Sequence, residues 1–318
     1  MTTMRAVRAH QRGGPEQLKY ESAPRPEPAA GEVLVAVRAA SITPGELDWD
    51  ATWTDSLDGP GHDRTPVIPS HEVSGVVAEL GAGVTDFAVG DEVYGLIPFT
   101  RDGAAAEYVT VPAAVLAAKP ARLDHDSAAA VPLAALTAWQ GLVGHAALAS
   151  GQRVLVQGGA GGVGSFAVQI AAALGARVTT TALPQDREFV TGLGAERVVD
   201  YRTERFEDQV ADVDVVFDAV GGETQSRSWA VLRPGGTLVS IVQPPDPGAR
   251  TDATARGVFF VVEPDRAGLE AVTGLIDDGR LTPAVDRVVP LAETRAAYEA
   301  LAKEHRRGKI VLRVGAGG

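Results

Sequence analysis

Few residues in this chain could do chemistry, and the ones whose spacing says most are glycines. Gly159, Gly161 and Gly164 satisfy G-x-G-x-x-G inside Arg153-Val-Leu-Val-Gln-Gly-Gly-Ala-Gly-Gly-Val-Gly-Ser165, where a short β-branched run enters a glycine cluster and then the apolar Ser-Phe-Ala-Val-Gln-Ile-Ala-Ala-Ala-Leu. Each glycine answers a physical need, which is a tight strand-to-helix turn, backbone approach to a pyrophosphate, or close packing of helix on strand. The N–H groups opening the helix then hold the anion. With 36 glycines in 318 residues such a pattern can arise by chance. Context lifts it, because Arg177-Val-Thr-Thr-Thr-Ala182 follows and completes a strand-helix-strand unit of about 30 residues. Gly158, Gly159, Ala160, Gly161, Gly162, Val163 and Gly164 are therefore read as the cradle of a dinucleotide, against the alternative of a purely structural glycine turn.

The same unit discriminates between cofactors. Folds that prefer NAD place an Asp or Glu at the tip of the second strand, about 20 residues past the glycines, to bind the ribose 2′-hydroxyl. Here that tip reads Thr179-Thr180-Thr181-Ala182, so no carboxylate repels a 2′-phosphate, and Arg187 is near enough in sequence to neutralise one. The expectation is NADPH over NADH.

Two textures position these residues. From Met4 to about Val111 apolar residues alternate in short runs bounded by Gly, Pro and Asp, as in Glu32-Val-Leu-Val-Ala-Val-Arg and Val73-Ser-Gly-Val-Val-Ala-Glu-Leu, which reads as antiparallel β. A helix is expected from Ser127 to about Leu148, capped by Asp126/Ser127 and interrupted at Pro132. From Arg153 strands alternate with helices (strands at 178–182, 197–201, 213–220 and 237–242), the signature of a parallel, doubly wound α/β sheet. A helix (267–277), a strand (284–289), another helix (291–303) and a last strand from Lys309 close the chain.

Composition bounds the function classes. A length of 318 suggests two domains, and 45% hydrophobic with 22% charged residues describes an ordinary globular protein. Lys and Arg number 29 against 41 Asp and Glu, a net −12 that argues against nucleic acid and anionic membrane surfaces. No apolar run reaches spanning length and no basic-then-apolar leader opens the chain, so no membrane partner and a cytoplasmic location are expected. The sequence has no cysteine, which removes disulfides, thiolate nucleophiles and Cys-ligated zinc.

Further motifs span nearly the whole chain: Pro69-Ser-His-Glu-Val-Ser-Gly-Val-Val, Val89-Gly-Asp-Glu-Val-Tyr-Gly, Leu136-Thr-Ala-Trp, Leu193-Gly-Ala-Glu-Arg-Val-Val-Asp-Tyr, Val216-Phe-Asp-Ala-Val-Gly-Gly, Arg233-Pro-Gly-Gly-Thr-Leu and Gly308-Lys-Ile-Val-Leu. Together they resemble the medium-chain dehydrogenase/reductase superfamily, in its zinc-free, zeta-crystallin-like quinone oxidoreductase branch. The resemblance implies a GroES-like β-barrel domain (1–122, completed by 264–318), a Rossmann domain of doubly wound parallel sheet binding NADPH (123–263), and an active cleft between them. It also implies a homodimer through the Rossmann domain, for which the apolar Val258-Phe-Phe-Val-Val262 is the candidate edge strand.

Zinc-dependent relatives place a Cys after the third strand, a Gly-His-Glu in the middle and a Cys at the inter-domain helix. The corresponding positions here are Thr43, His71-Glu72 and Leu133-Ala-Ala-Leu, and one imidazole with one carboxylate falls short of the three protein ligands a catalytic zinc needs. No metal is expected. Thr43 takes the place of a family Asn near the nicotinamide, so Thr43, His71 and Tyr94 are the catalytic candidates. His71 has two readings, a proton donor or a hydrogen-bonded relic. Trp49, Trp53 and Tyr94 either line an aromatic substrate site or pack in a small β domain, and the insertion Asp50 to Arg64 is long enough to shape a substrate.

Tyr201 matches a tyrosine that quinone oxidoreductases use beside the 2′-phosphate. Asp186 stands where the family often has a Lys, which weighs against NADPH unless it only decorates the first turn of a helix. Thr137, Thr181, Val220, Gly221, Ser240 and Val242 complete the cofactor candidates, the last four lying at strand ends where open sheets bind ligands. The resulting expectation is hydride transfer from NADPH to a small-molecule quinone or enone. An enoyl-thioester reductase and a non-catalytic NADPH-binding sensor or structural protein are the alternatives.

Overall fold

The computed structural model describes residues 2–57, 59 and 61–315. In chain order the elements are β1 (Thr3–Ala9), β2 (Leu18–Pro24), β3 (Glu32–Ile42), α1 (Asp50–Trp53), β4 (Glu72–Leu80), β5 (Glu92–Leu96), β6 (Tyr108–Pro112), β7 (Leu116–Ala118), α2 (His125–Ala129) and α3 (Pro132–Trp139). There follow β8 (Arg153–Gln157), α4 (Gly162–Ala173), β9 (Arg177–Ala182), α5 (Arg187–Gly192), β10 (Arg197–Asp200), β11 (Val213–Asp218), α6 (Gly222–Ser228), β12 (Leu232–Ser240) and β13 (Arg256–Phe259). The chain closes with α7 (Arg266–Asp277), β14 (Val285–Pro290), α8 (Thr294–Lys303) and β15 (Lys309–Arg313).

These elements form two units. The first comprises Met1–Leu133, Glu263–Asp277 and Ala284–Gly318, and the second Ala134–Val262 with Asp278–Pro283. The division therefore falls at 133/134 rather than at 122/123, and residues 278–283 leave the closing segment for the second unit. The helical stretch explains the first shift. Asp124, not Asp126/Ser127, caps α2, its carboxylate accepting the Ser127 N–H at 2.8 Å, and α2 stops before Pro132, which opens α3.

In the first unit a seven-stranded sheet runs β14-β15-β3-β4-β5-β7, with β6 also on β3. Every pairing in it is antiparallel except β14 with β15. The alternating Val and Ala side chains of β3 and β4 feed a core that includes Val33, Val35, Ile42, Val73, Trp53 and Leu312. Because β3 is antiparallel to both β15 and β4, the end of β3 (Ile42 opposite Ile310, Ser41 opposite Glu72) lies beside the starts of the other two. One end of the sheet thus collects Thr43, Glu72 and Lys309.

The second unit holds a six-stranded sheet, β10-β9-β8-β11-β12-β13, parallel throughout. Numbered within the sheet this is order 3-2-1-4-5-6, with its reversal between β8 and β11, the place where doubly wound sheets bind dinucleotides at their carboxyl ends. Leu155, Val216, Trp229 and Leu238 pack one face. β13 lies at one edge, where the apolar run at 258–262 was expected to lie.

Candidate cofactor and substrate sites

The glycine turn is built from β8 upward. Gly158 adopts φ +79, a left-handed conformation that costs a glycine little. Gly159 and Gly164 are fixed by the fold itself: a Cβ on Gly159 would lie 2.0 Å from Thr180 Oγ1, and one on Gly164 2.1 Å from the Gly158 carbonyl oxygen. Gly161 differs. It precedes α4, is exposed, and a Cβ there would meet only the Gly158 oxygen, at 3.4 Å. Nothing among the described residues crowds a side chain at 161. A helix leaves its first N–H groups without intrahelical partners, so Gly162, Val163 and Gly164 direct donors past Gly161, and the cradle fits a dinucleotide pyrophosphate.

Neighbouring strand ends complete the rim. Val220 and Val242 are 48% and 47% exposed, Val220 lies over Gly158, and a Cβ on Gly221 would strike Val242 at 2.8 Å. The structure thus brings Gly158, Val220, Gly221 and Val242 together. Asp218, which sequence reasoning missed, organises this rim: its buried carboxylate accepts the Val220 and Gly221 N–H groups at 3.0 and 2.9 Å, the Gln225 amide at 3.1 Å and the Ser240 hydroxyl at 2.9 Å. Ser240 is spent on Asp218. Thr181 is equally committed, donating to Gln157 at 2.8 Å and accepting the Gly158 N–H at 3.0 Å. Both were candidate cofactor contacts, and both are buried supports of the turns instead. Thr137 is 5% exposed in α3.

At the corner beyond β9, Asp186 is buried, 1% exposed, in the turn that precedes α5, whereas Arg187 is exposed and Tyr201 is 54% exposed. The Asp200 carboxyl, next to Tyr201, is held below its ordinary range by the Thr203 hydroxyl and Arg202 N–H, with a smaller contribution from the charge of Arg187. The acid that weighed against NADPH therefore does not face outward at this corner.

In the first unit the catalytic candidates part company. Tyr94 is fully buried, its hydroxyl donating to the Leu269 carbonyl at 2.9 Å and lying 2.7 Å from Thr273 Oγ1. Burial pushes that hydroxyl well above the ordinary tyrosine range. Tyr94 is a packing residue against α7, not a partner of Thr43 and His71. His71, 2% exposed, faces Glu46 Oε1 at 2.8 Å through Nδ1 and the Arg101 carbonyl at 3.2 Å through Nε2. Both ring nitrogens are committed, which is the hydrogen-bonded reading of this residue.

Glu46 also accepts the Tyr298 hydroxyl at 2.8 Å and the Ser70 N–H at 2.7 Å. Burial alone would raise this carboxyl, but the His71 ring, Tyr298 and the Ser70 N–H outweigh it and keep the group below its ordinary 4.5. Ser70 sits at φ +73, uncommon for a residue with a Cβ. Of the tryptophans, Trp53 is core, donating to the Leu47 carbonyl at 2.9 Å. Trp49 is half-buried and packs edge-on to Phe99, which in turn contacts His71, each pair at 5.3 Å.

The zinc position is rebuilt. Glu72 is wholly buried, with Oε2 2.5 Å from Lys309 Nζ and Oε1 accepting the Leu133 N–H at 3.0 Å. The same ammonium donates to Thr43 Oγ1 at 3.0 Å. Among the described residues no cluster of three His, Asp or Glu could hold a metal. A zinc ion would also have to compete with Lys309 for Glu72, so these residues do not fit one. Lys309 and Glu46 were missed in the sequence, the first hidden in a closing motif and the second in a loop.

Comparison with known proteins bears on the fold and the family. Residues 29–121 match the family model for an alcohol dehydrogenase GroES-like domain, and 193–312 one described as zinc-binding dehydrogenase. The chain is 34% identical to the chloroplastic NADPH-dependent alkenal/one oxidoreductase of Arabidopsis thaliana, over 94% of this chain and 77% of that protein. It belongs to the medium-chain dehydrogenase/reductase superfamily, in the zeta-crystallin-like quinone oxidoreductase branch. It is also 33% identical to the 2-methylene-furan-3-one reductase of Solanum lycopersicum, covering 94% of this chain and 76% of that one. The quinone oxidoreductase structure from Coxiella burnetii superposes with a TM-score of 0.89 at 30% identity, covering 99% of this chain and 100% of that one. The first unit is accordingly a GroES-like domain and the second a Rossmann-type domain, and the chain is an oxidoreductase of this superfamily with a nicotinamide cofactor.

Proposed function

We propose that this chain is an NADPH-dependent reductase that transfers hydride to a quinone or to the activated C=C bond of an α,β-unsaturated carbonyl, without a metal ion. The observation that carries the reading is the pairing of a dinucleotide turn left open at Gly161 with a zinc position rebuilt from Thr43, Glu72 and Lys309. A reduced nicotinamide supplies the hydride and leaves the protein to bind, orient and balance charge. Gly162, Val163 and Gly164 would hold the pyrophosphate through their N–H groups, and Val220 and Val242 would wall the far side of the turn. Exposed Arg187 and Tyr201, at a corner where Asp186 is turned inward, support a 2′-phosphate. The relatives named for alkenal/one, furanone and quinone substrates support an acceptor of that class.

The test is NADPH oxidation against a panel of 1,4-benzoquinone, naphthoquinones, 2-cyclohexen-1-one and enoyl thioesters. Turnover with an enone or quinone that withstands a chelator supports the reading. Preference for thioesters moves the substrate class, and NADPH binding without turnover on any acceptor points to the non-catalytic alternative.

A further inference from the structure

Burying an ammonium and a carboxylate together is weak evidence of stabilisation, because desolvation offsets most of their attraction. Lys309 is 4% exposed and Glu72 0%, so neither reaches solvent to bind anything itself. What they do reach is Thr43, which is only half-buried. Lys309 donates to Thr43 Oγ1 at 3.0 Å, so that oxygen already serves as an acceptor. Among the described residues the threonine's own proton has Glu72 Oε2 at 3.4 Å as its acceptor, well beyond the ordinary O–H···O distance of about 2.8 Å. Glu72 meanwhile takes two better donors, Lys309 and the Leu133 N–H. The Thr43 hydroxyl is thus a donor backed by a fixed positive charge, with its proton available to a stronger acceptor.

We infer that Lys309 is a positioning residue that turns the Thr43 hydroxyl into the oxyanion donor for substrate, Glu72 serving to hold the ammonium in place. This rests on the reductase reading above. Hydride added at the β-carbon of an enone pushes the C=C electrons toward oxygen and leaves an enolate. Thr43 hydrogen-bonds that oxygen without giving up its proton, and the charge of Lys309 lies directly behind it, where preorganised donors are most effective. Water then protonates the α-carbon, so one hydride and one proton give the saturated ketone. For a quinone the same donor meets the hydroquinone anion.

The test uses 4-nitrophenol, whose phenolate resembles the enolate, bound to the full chain with NADP+ present, and its visible absorption as readout. Wild-type protein should favour the bound phenolate. That ionisation should be lost in Thr43→Val and in the Lys309→Met/Glu72→Gln double variant, which leaves no buried charge unpaired, and be retained in Thr43→Ser and Lys309→Arg. With 2-cyclohexen-1-one the first two should lose about a hundredfold in kcat with little change in KM. Thr43→Val alters no buried charge and keeps the test decisive if the double variant fails to fold. The inference is overturned if wild-type protein does not favour the phenolate, or if Thr43→Val ionises the phenol and turns over as wild type does. No turnover of any enone or quinone by wild-type protein would instead defeat the reductase reading itself.

Discussion

Gly161 and Gly164 share a motif but answer to different masters, and substitution separates them. Gly164→Ala forces a methyl to 2.1 Å from a backbone oxygen and should destabilise the protein by about 3 kcal/mol, read from its denaturant midpoint. Gly161→Ala finds only a 3.4 Å contact, so it should melt like wild type while NADPH affinity, measured by calorimetry, falls at least about tenfold. Tyr94→Phe removes two hydrogen bonds to α7, and the expected result is a stability loss of about 1 kcal/mol with kcat unchanged. Residue identity alone could not reveal this. Tyr94 is as plausible a proton donor in sequence as any tyrosine, and only packing against a segment 175 residues away shows its hydroxyl already committed. The same holds in reverse for Lys309, whose role arises from its strand's pairing with β3, a partner far upstream in the chain. The glycines were legible because their chemistry is local to one turn, whereas Thr43 was named only through the family resemblance, its partners Glu72 and Lys309 lying 29 and 266 residues away.

At the scale of elements, hydrophobic periodicity exposed most strands of both sheets and placed β8, α4 and β9 with their order intact. It missed β2 and β7. β2 carries the polar-rich Leu-Lys-Tyr-Glu-Ser, and β7 is only three residues long, too short to show a period. The helical stretch, expected from Ser127 to about Leu148 with an interruption at Pro132, divides there into α2 and α3, because Pro132 cannot continue the helix before it, and ends in an unforeseen π-helical turn at Gln140–His145. The corner formed by β9, α5 and β10 carries the cofactor prediction: Arg187→Ala should weaken NADPH by about 1.5 kcal/mol, roughly tenfold in Kd, and leave NADH nearly unchanged. Equal weakening of both would reduce Arg187 to a surface charge. β13 carries the assembly prediction, since it ends the parallel sheet with Phe259 40% exposed and Val261, just beyond it, 59% exposed. Such an edge tends to pair with another, and we propose a two-fold dimer, for which light scattering should return twice the 33.0 kDa chain mass.

For the whole molecule, pH dependence follows from the sign of the shifts. Glu46 is lowered in the folded state, so its stabilising effect is present above its ordinary 4.5 and is lost as pH falls through the folded value. Glu207, lowered to about 2 by its hydrogen bonds to Arg227, acts in the same direction. Tyr298 is raised, by burial first and the charge of Glu46 second, so its contribution is full below its ordinary 10.0 and disappears as pH rises through the folded value. The melting temperature should therefore form a plateau between these limits and fall on either side, and Tyr298→Phe should remove the part of the alkaline decline that this hydroxyl causes.

The central claim, a nicotinamide-dependent reductase working without a metal, is met most directly by following NADPH absorbance with 2-cyclohexen-1-one and 1,4-benzoquinone, using protein dialysed against a chelator. The account predicts turnover at the rate of untreated protein, faster with NADPH than with NADH, and no stoichiometric zinc by elemental analysis. Activity that vanishes on dialysis and returns with one equivalent of zinc would contradict it.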